Sequence, residues 1–202
     1  MKIRRIGIFG GSFNPIHTGH CVIADGFIEQ CSLDVCYLIP TYHSPLKSAA
    51  PSISPFHRLE MCRIIARTHP KLKVWDGEIR RKGKSFTIDT IHWFNKNFEH
   101  IELFLLIGQD QANLFRQWKD YQEILRQVRL CVVRRGDEDL TLPDFNEVGG
   151  HHVPRVVSTP RIDVSSTAIR EAVLNKQSVR YHIHDKVLRY IRRHTLYTNP
   201  VC

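Results

Sequence analysis

Near-continuous apolar runs alternate with amphipathic segments along most of the chain. Residues 3–10, 35–40 (VCYLIP), 72–76 (LKVWD), 101–108 (IELFLLIG), 128–134 and 153–158 each read as a strand. Apolar runs without strict alternation suit strands covered on both faces, as in a parallel sheet. Helical patterns fall between them, the first over residues 20–30. A second opens at Ser54–Pro55, a capping serine followed by a proline whose fixed φ fits the first helical position. It runs to about residue 68 with Leu59, Cys62 and Ile65 on one face. Thr87 is placed to cap a third helix, in which Ile88, Ile91 and Phe94 recur at helical spacing. Further helices are expected at 121–127, 167–174 and 186–194. The alternation predicts an α/β fold with a doubly wound, mostly parallel sheet. In such sheets the ligand belongs beyond the carboxyl ends of the strands, where the topology switches. No repeat or break in composition divides the chain, so a single domain over residues 1–202 is expected. Of the two long loops, residues 41–54 read as an active-site flap and 136–152 as a surface connection.

Composition changes this picture in two ways. Lysine and arginine outnumber the acids 29 to 20, a net charge of +9 that favours anionic partners such as phosphates, nucleotides or nucleic acid. The six cysteines, Cys21, Cys31, Cys36, Cys62, Cys131 and Cys202, form no C-x-x-C pair and several sit inside apolar runs. They read as buried free thiols in a reducing, cytoplasmic setting. The N-terminal segment has basic residues but no apolar stretch of signal-peptide length, and no run is long enough to span a membrane.

The most informative stretch is residues 7–20, GIFGGSFNPIHTGH. A strand ends in Gly10–Gly11, turns through Ser12, Phe13, Asn14 and Pro15, and enters a helix near Thr18. Glycines there let backbone approach a ligand closely, and exposed N–H groups at a helix start bind anions. His17 and His20, spaced i, i+3, place both imidazoles on one side of the first turn. The positive end of the helix dipole disfavours a standing imidazolium, and a bound phosphate reverses that preference. The pair is therefore set to donate hydrogen bonds to phosphate oxygens. A G-x-G-x-x-G dinucleotide fingerprint and a Gly-Lys-Ser/Thr phosphate loop are both absent. Two surface histidines beside an ordinary turn, or a zinc site needing further ligands, are the competing interpretations.

Near the other end, residues 163–170 read DVSSTAIR. Ser165, Ser166 and Thr167 precede a short helix with Ala168, Ile169, Ala172 and Val173 as its apolar face. Hydroxyls and first-turn N–H groups can point together at an anion, and Arg170 can add a forked contact. Taken alone, this is an ordinary N-cap.

The H-T-G-H element after G-S-F-N-P, paired with S-S-T-A-I-R, resembles the nucleotidylyltransferase superfamily, whose members move a nucleoside monophosphate from a triphosphate to a phosphate acceptor. The resemblance implies a Rossmann-like nucleotidylyltransferase fold. It also implies that His17, His20 and Arg170 are catalytic, stabilising charge as pyrophosphate leaves. Gly10, Gly11, Ser12, Phe13, Ser165, Ser166 and Thr167 would join them in binding ATP. Asn14 stands where the family pattern usually has aspartate. The mid-chain elements EIRRKGKSFTIDT (residues 78–90) and IGQDQANLFRQW (residues 107–118) resemble those of the bacterial nicotinate-nucleotide adenylyltransferases. In that resemblance Thr87 and Trp118 lie along the pyridine-ring pocket and Asp110 on the adenosine side. Trp118 suits such a pocket physically, since an indole face attracts a pyridinium by about 0.5–2 kcal/mol; the alternative is an ordinary core aromatic. Lys47, in the loosely matching loop PTYHSPLK, is a candidate triphosphate contact. Arg80, Arg81, Lys82 and Lys84 read as a solvated basic loop.

The implied reaction transfers adenylyl from ATP to nicotinate mononucleotide, with Mg²⁺ expected on the triphosphate and no protein metal site. Nicotinamide mononucleotide and phosphopantetheine are the alternative acceptors, and the mid-chain elements count against the latter. A nucleic-acid-binding protein is the alternative of another class. Against it, the basic residues scatter among element ends and no nucleic-acid-reading motif accompanies them. ATP and nicotinate mononucleotide are the expected partners, with neither nucleic acid nor membrane, and the sequence leaves the oligomeric state open.

Overall fold

The computed structural model describes residues 3–45, 51–135, 142, 145, 148 and 153–198. Among the described residues six strands form one sheet, and every neighbouring pair runs parallel. They are β1 (Arg5–Gly11), β2 (Val35–Pro40), β3 (Leu72–Val74), β4 (Glu102–Gly108), β5 (Val128–Arg135) and β6 (Arg155–Thr159), in spatial order β3-β2-β1-β4-β5-β6. The chain winds outward from β1 to β3, then returns to lay β4 against the other side of β1. The topology therefore switches between β1 and β4, as a doubly wound sheet requires.

Among the described residues, six α-helices lie between the strands and two follow the last: α1 (Thr18–Gln30), α2 (Pro55–Ala66), α3 (Gly77–Arg81), α4 (Thr87–Asn97), α5 (Gln109–Asn113) and α6 (Tyr121–Gln127), then α7 (Ser166–Leu174) and α8 (Asp185–Arg193). The period of two along β4 divides its side chains between two cores. Leu103, Leu105 and Ile107 pack with Ile88, Ile91 and Phe94 of α4 and with Ile124 and Leu125 of α6. Phe104 and Leu106 face the opposite side, with Phe27 and Ile28 of α1, Met61 and Cys62 of α2, and Val187 and Ile191 of α8. Burial on both faces explains the unbroken apolar runs.

Three local details differ from the sequence pattern. β3 stops at Val74, because Asp76 pairs with Arg63 and Arg80 and α3 begins at Gly77. Arg80 and Arg81 therefore lie in a helix rather than in a loop, while Lys82 and Lys84 are exposed. Thr87 is the first residue of α4; Phe86 holds the capping position and no side chain caps the end. Ser54, by contrast, caps α2 by accepting from the Phe56 amide at 3.3 Å.

Among the described residues the cysteines are free, with Cys31, Cys36, Cys62 and Cys131 buried and Cys21 half-buried; Cys202 lies outside those residues. No described helix is long and apolar enough to cross a membrane.

Candidate active site

Two cavities flank the carboxyl end of β1. The larger, about 500 Å³, opens over the switch point. Gly10, Gly11 and Ser12 line it from β1, Thr41 and Ser44 from the end of β2, and Gly108 and Trp118 from beyond β4. Glu78, Ser85, Thr87 and Thr90 close another side. The smaller, about 220 Å³, lies between the start of α1 and the start of α7, lined by His17, Gly19, His20, Ser165 and Ser166 among others.

The turn between the cavities is held from several directions. Phe13 has φ of 45°, a left-handed conformation forced on a bulky residue. Its buried ring packs edge-on against Phe9 at 5.5 Å and against His20 at 5.1 Å, so it braces the imidazole. The Asn14–Pro15 peptide is cis. Buried Asn14 accepts from the Tyr197 hydroxyl through Oδ1 at 2.9 Å and donates to Ser52 Oγ through Nδ2 at 3.2 Å. An amide can do both at once, whereas an ionised carboxylate only accepts. Burial pushes the Tyr197 phenol well above its ordinary pKa, so it stays a donor.

His17 holds the capping position of α1 and is buried, with its ring centroid 3.8 Å from that of His20. His20 Nδ1 accepts from the His17 backbone N–H at 3.3 Å. A neutral ring that accepts at Nδ1 carries its proton on Nε2, so capping fixes the tautomer as well as the orientation.

The distant hydroxyl-rich motif meets this turn directly. Ser165 caps α7, accepting from the Ala168 amide at 3.1 Å. Ser166 Oγ donates to the Pro15 carbonyl at 2.8 Å, and Arg170 Nη1 donates to the Asn14 carbonyl at 2.9 Å. Arg170 Nη2 also reaches Thr167 Oγ1 at 3.2 Å. A helix start bearing serines thus faces a helix start bearing histidines across one cavity, an array of donors suited to a polyanion.

The other candidates distribute as follows. Thr87 and Trp118 line the larger cavity, and Trp118 also packs against Phe115 at 5.0 Å between centroids. Asp110 is exposed on α5 and lines neither cavity. Lys47 lies outside the described residues.

Two further buried residues, Glu78 on the wall of the larger cavity and Arg58 on α2, have no role assigned by the motifs read above. Glu78 is buried; its Oε1 accepts from Thr90 Oγ1 at 2.8 Å, and burial raises its carboxyl above the ordinary range. Arg58 is fully buried on α2, where burial lowers its guanidinium from the usual value. The sequence does carry a trace of it, since position 58 falls on the same stripe as Cys62 and Ile65.

Residues 8–172 match the family model described as cytidylyltransferase-like. The nicotinate-nucleotide adenylyltransferase of Bacillus subtilis (strain 168) is 32% identical over 195 residues, covering 96% of this chain and 99% of that protein. Solved structures share the fold, among them two of Plasmodium falciparum nicotinic acid mononucleotide adenylyltransferase. The one complexed with NaAD has a TM-score of 0.72 at 17% identity, covering 96% of this chain and 97% of that one. The one complexed with APC has a TM-score of 0.71 at 17% identity, with the same coverage of 96% and 97%.

Proposed function

Because the chain belongs to the cytidylyltransferase-like family, in its nicotinate-nucleotide adenylyltransferase branch, we propose that it transfers the adenylyl group of ATP to nicotinate mononucleotide. The products are nicotinate adenine dinucleotide and pyrophosphate, a step in NAD biosynthesis. One observation carries the site assignment: Ser166 and Arg170 are hydrogen-bonded to the Pro15 and Asn14 carbonyls, so that two motifs far apart in sequence border one cavity with His17 and His20.

In this proposal the triphosphate lies along the smaller cavity, against the imidazoles and the start of α7. Nicotinate mononucleotide fills the larger one, its pyridinium ring on the Trp118 side. Gly10, Gly11 and Ser12 stand between them, where the mononucleotide phosphate oxygen attacks the α-phosphorus. The bond from that phosphorus to the bridging oxygen breaks, and the leaving pyrophosphate takes the electron pair. No side chain acts as nucleophile, so catalysis is alignment plus stabilisation of the leaving charge. His20 Nε2–H serves the second role. When bound with the nucleotide, Mg²⁺ would neutralise part of the triphosphate charge. The donors at this end, imidazoles and hydroxyls, would suit a metal carried by the substrate. A single catalytic domain in a cytoplasmic setting completes the proposal, supported by one continuous sheet and by buried thiols.

The test is pyrophosphate release from ATP with nicotinate mononucleotide, nicotinamide mononucleotide or phosphopantetheine as acceptor. The highest kcat/KM is expected with nicotinate mononucleotide. Release with phosphopantetheine alone, or with none of the three, would overturn the assignment.

A further inference from the structure

Arg58 stands apart from every other cation in the described chain. Its side chain is fully buried, yet no carboxylate among the described residues lies within ion-pair distance, and its Nε is buried without a partner. Its neighbours among titratable groups are the thiol of Cys62 and the phenol of Tyr197, neither of which is charged near neutrality. Burying a guanidinium without a counter-ion is costly, and a hydrophobic residue of similar volume would serve a plain core better.

The two bonds it does make say what that cost supports. Nη1 donates to the Ser12 carbonyl at 2.7 Å, in the turn between the two cavities. Nη2 donates to the Tyr42 carbonyl at 3.2 Å, just past the end of β2. From Tyr42 the connection continues, because its amide donates to Ser85 Oγ at 3.0 Å and the Ser85 amide donates to the His43 carbonyl at 2.9 Å. Ser85 lines the larger cavity two residues before Thr87. One planar guanidinium therefore ties the phosphate-side turn to the wall of the mononucleotide cavity through a continuous set of hydrogen bonds.

We propose that Arg58 is a positioning residue that fixes the separation of the two substrate subsites, and so the alignment of the attacking phosphate with the α-phosphorus. The proposal rests on the reaction assigned above. Its physical basis is that Arg presents a rigid fork able to hold two carbonyls at a set angle, whereas lysine supplies the same charge without the fork. In-line transfer is sensitive to about 1 Å of misplacement, which costs on the order of 10²-fold in rate. Binding of each substrate to its own cavity does not depend on the gap between them. Loss of the fork should then lower kcat and leave both KM values nearly unchanged. A purely structural arginine would instead lower the melting temperature and the folded fraction, with kcat per folded molecule intact.

Arg58→Lys tests this directly. For folded enzyme, kcat is expected to fall about 10- to 100-fold, with KM for ATP and for nicotinate mononucleotide each within about threefold. Ser85→Ala, a small change further along the same connection, should give a weaker fall of the same form. Hydrogen exchange of the unliganded protein supplies a readout independent of activity. In Arg58→Lys, exchange should speed up together at residues 11–13 and at residues 42–44 and 84–86. Normal kcat per folded molecule, a KM effect confined to one substrate, or faster exchange in only one of the two regions would overturn the proposal. An inactive wild type would count against the assigned reaction instead, and the paired exchange response would still decide whether Arg58 joins the two walls.

Discussion

At the level of single residues, His20 and Glu78 show how surroundings set a side chain's chemistry. The His17 amide and the Phe13 ring hold the His20 imidazole in one tautomer and one orientation. Removing a preorganised donor that stabilises leaving charge typically costs about 10²-fold in kcat, and His20→Ala is expected to lose at least that while keeping its melting temperature. Turnover near the wild-type value at saturating substrate would take His20 out of the step. Glu78 responds to pH. Burial raises its folded-state pKa, opposed by the Thr90 and Ser85 hydroxyls and by Arg81, and reinforced by Asp89. A carboxyl whose folded pKa exceeds its unfolded one contributes stability fully at low pH and loses it as pH rises through the folded value. Glu78→Gln has no proton to lose, so its stability relative to wild type should increase from about pH 5 upward, followed by urea unfolding across pH. A difference that stays constant as pH rises above the ordinary carboxylate range would mean that burial does not raise the Glu78 carboxyl. Both histidines are legible in the sequence, because motif spacing alone puts them on one helical turn. Glu78 and Arg58 are not: a charged residue inside an apolar stripe looks the same whether it snorkels to solvent or is enclosed, and only the neighbouring elements decide.

At the level of elements, strand existence was the most readable feature and the ends were the least. Five apolar runs and the weaker one at residues 72–76 all become strands, since a strand buried on both faces leaves an unbroken run in the sequence. Caps depend on where a side chain turns. Ser54 and Ser165 fulfil that role, whereas Thr87 lies one position inside α4, and the short α3 and α5 leave too little periodicity to be read. Gly7 shows a constraint visible only in three dimensions. A Cβ there would sit 2.5 Å from Leu33 Cδ1 and 2.7 Å from Phe27 Cε1, where α1 and the α1–β2 connection press on β1. Overpacking of this kind costs roughly 1–3 kcal/mol, so Gly7→Ala should lower the urea midpoint markedly. An unchanged midpoint would show that α1 can withdraw from the sheet without penalty.

At the level of the whole molecule, the proposed arrangement divides the labour between two cavities on either side of β1, and that division predicts separable effects. The +9 net charge is spread over element ends, but the donors that matter are concentrated where α1 and α7 begin. Trp118 belongs to the other cavity. It reaches that wall from beyond β4 and leans on Phe115, so it is both a pocket wall and a core contact. These two roles predict different outcomes. If the indole face holds a pyridinium, its attraction of about 0.5–2 kcal/mol makes Trp118→Ala lose roughly 2- to 30-fold in affinity for nicotinate mononucleotide. ATP, which the proposal lodges against His17, His20 and Ser166 on the far side of the Gly11–Ser12 turn, should bind within about twofold of wild type, as expected for sites that share no contacts. Titration calorimetry with each substrate separately reads the two affinities without turnover. Equal losses for both would mean that the substitution relaxes the carboxyl end of β4 and the switch point with it, leaving Trp118 a packing residue and the two cavities mechanically one.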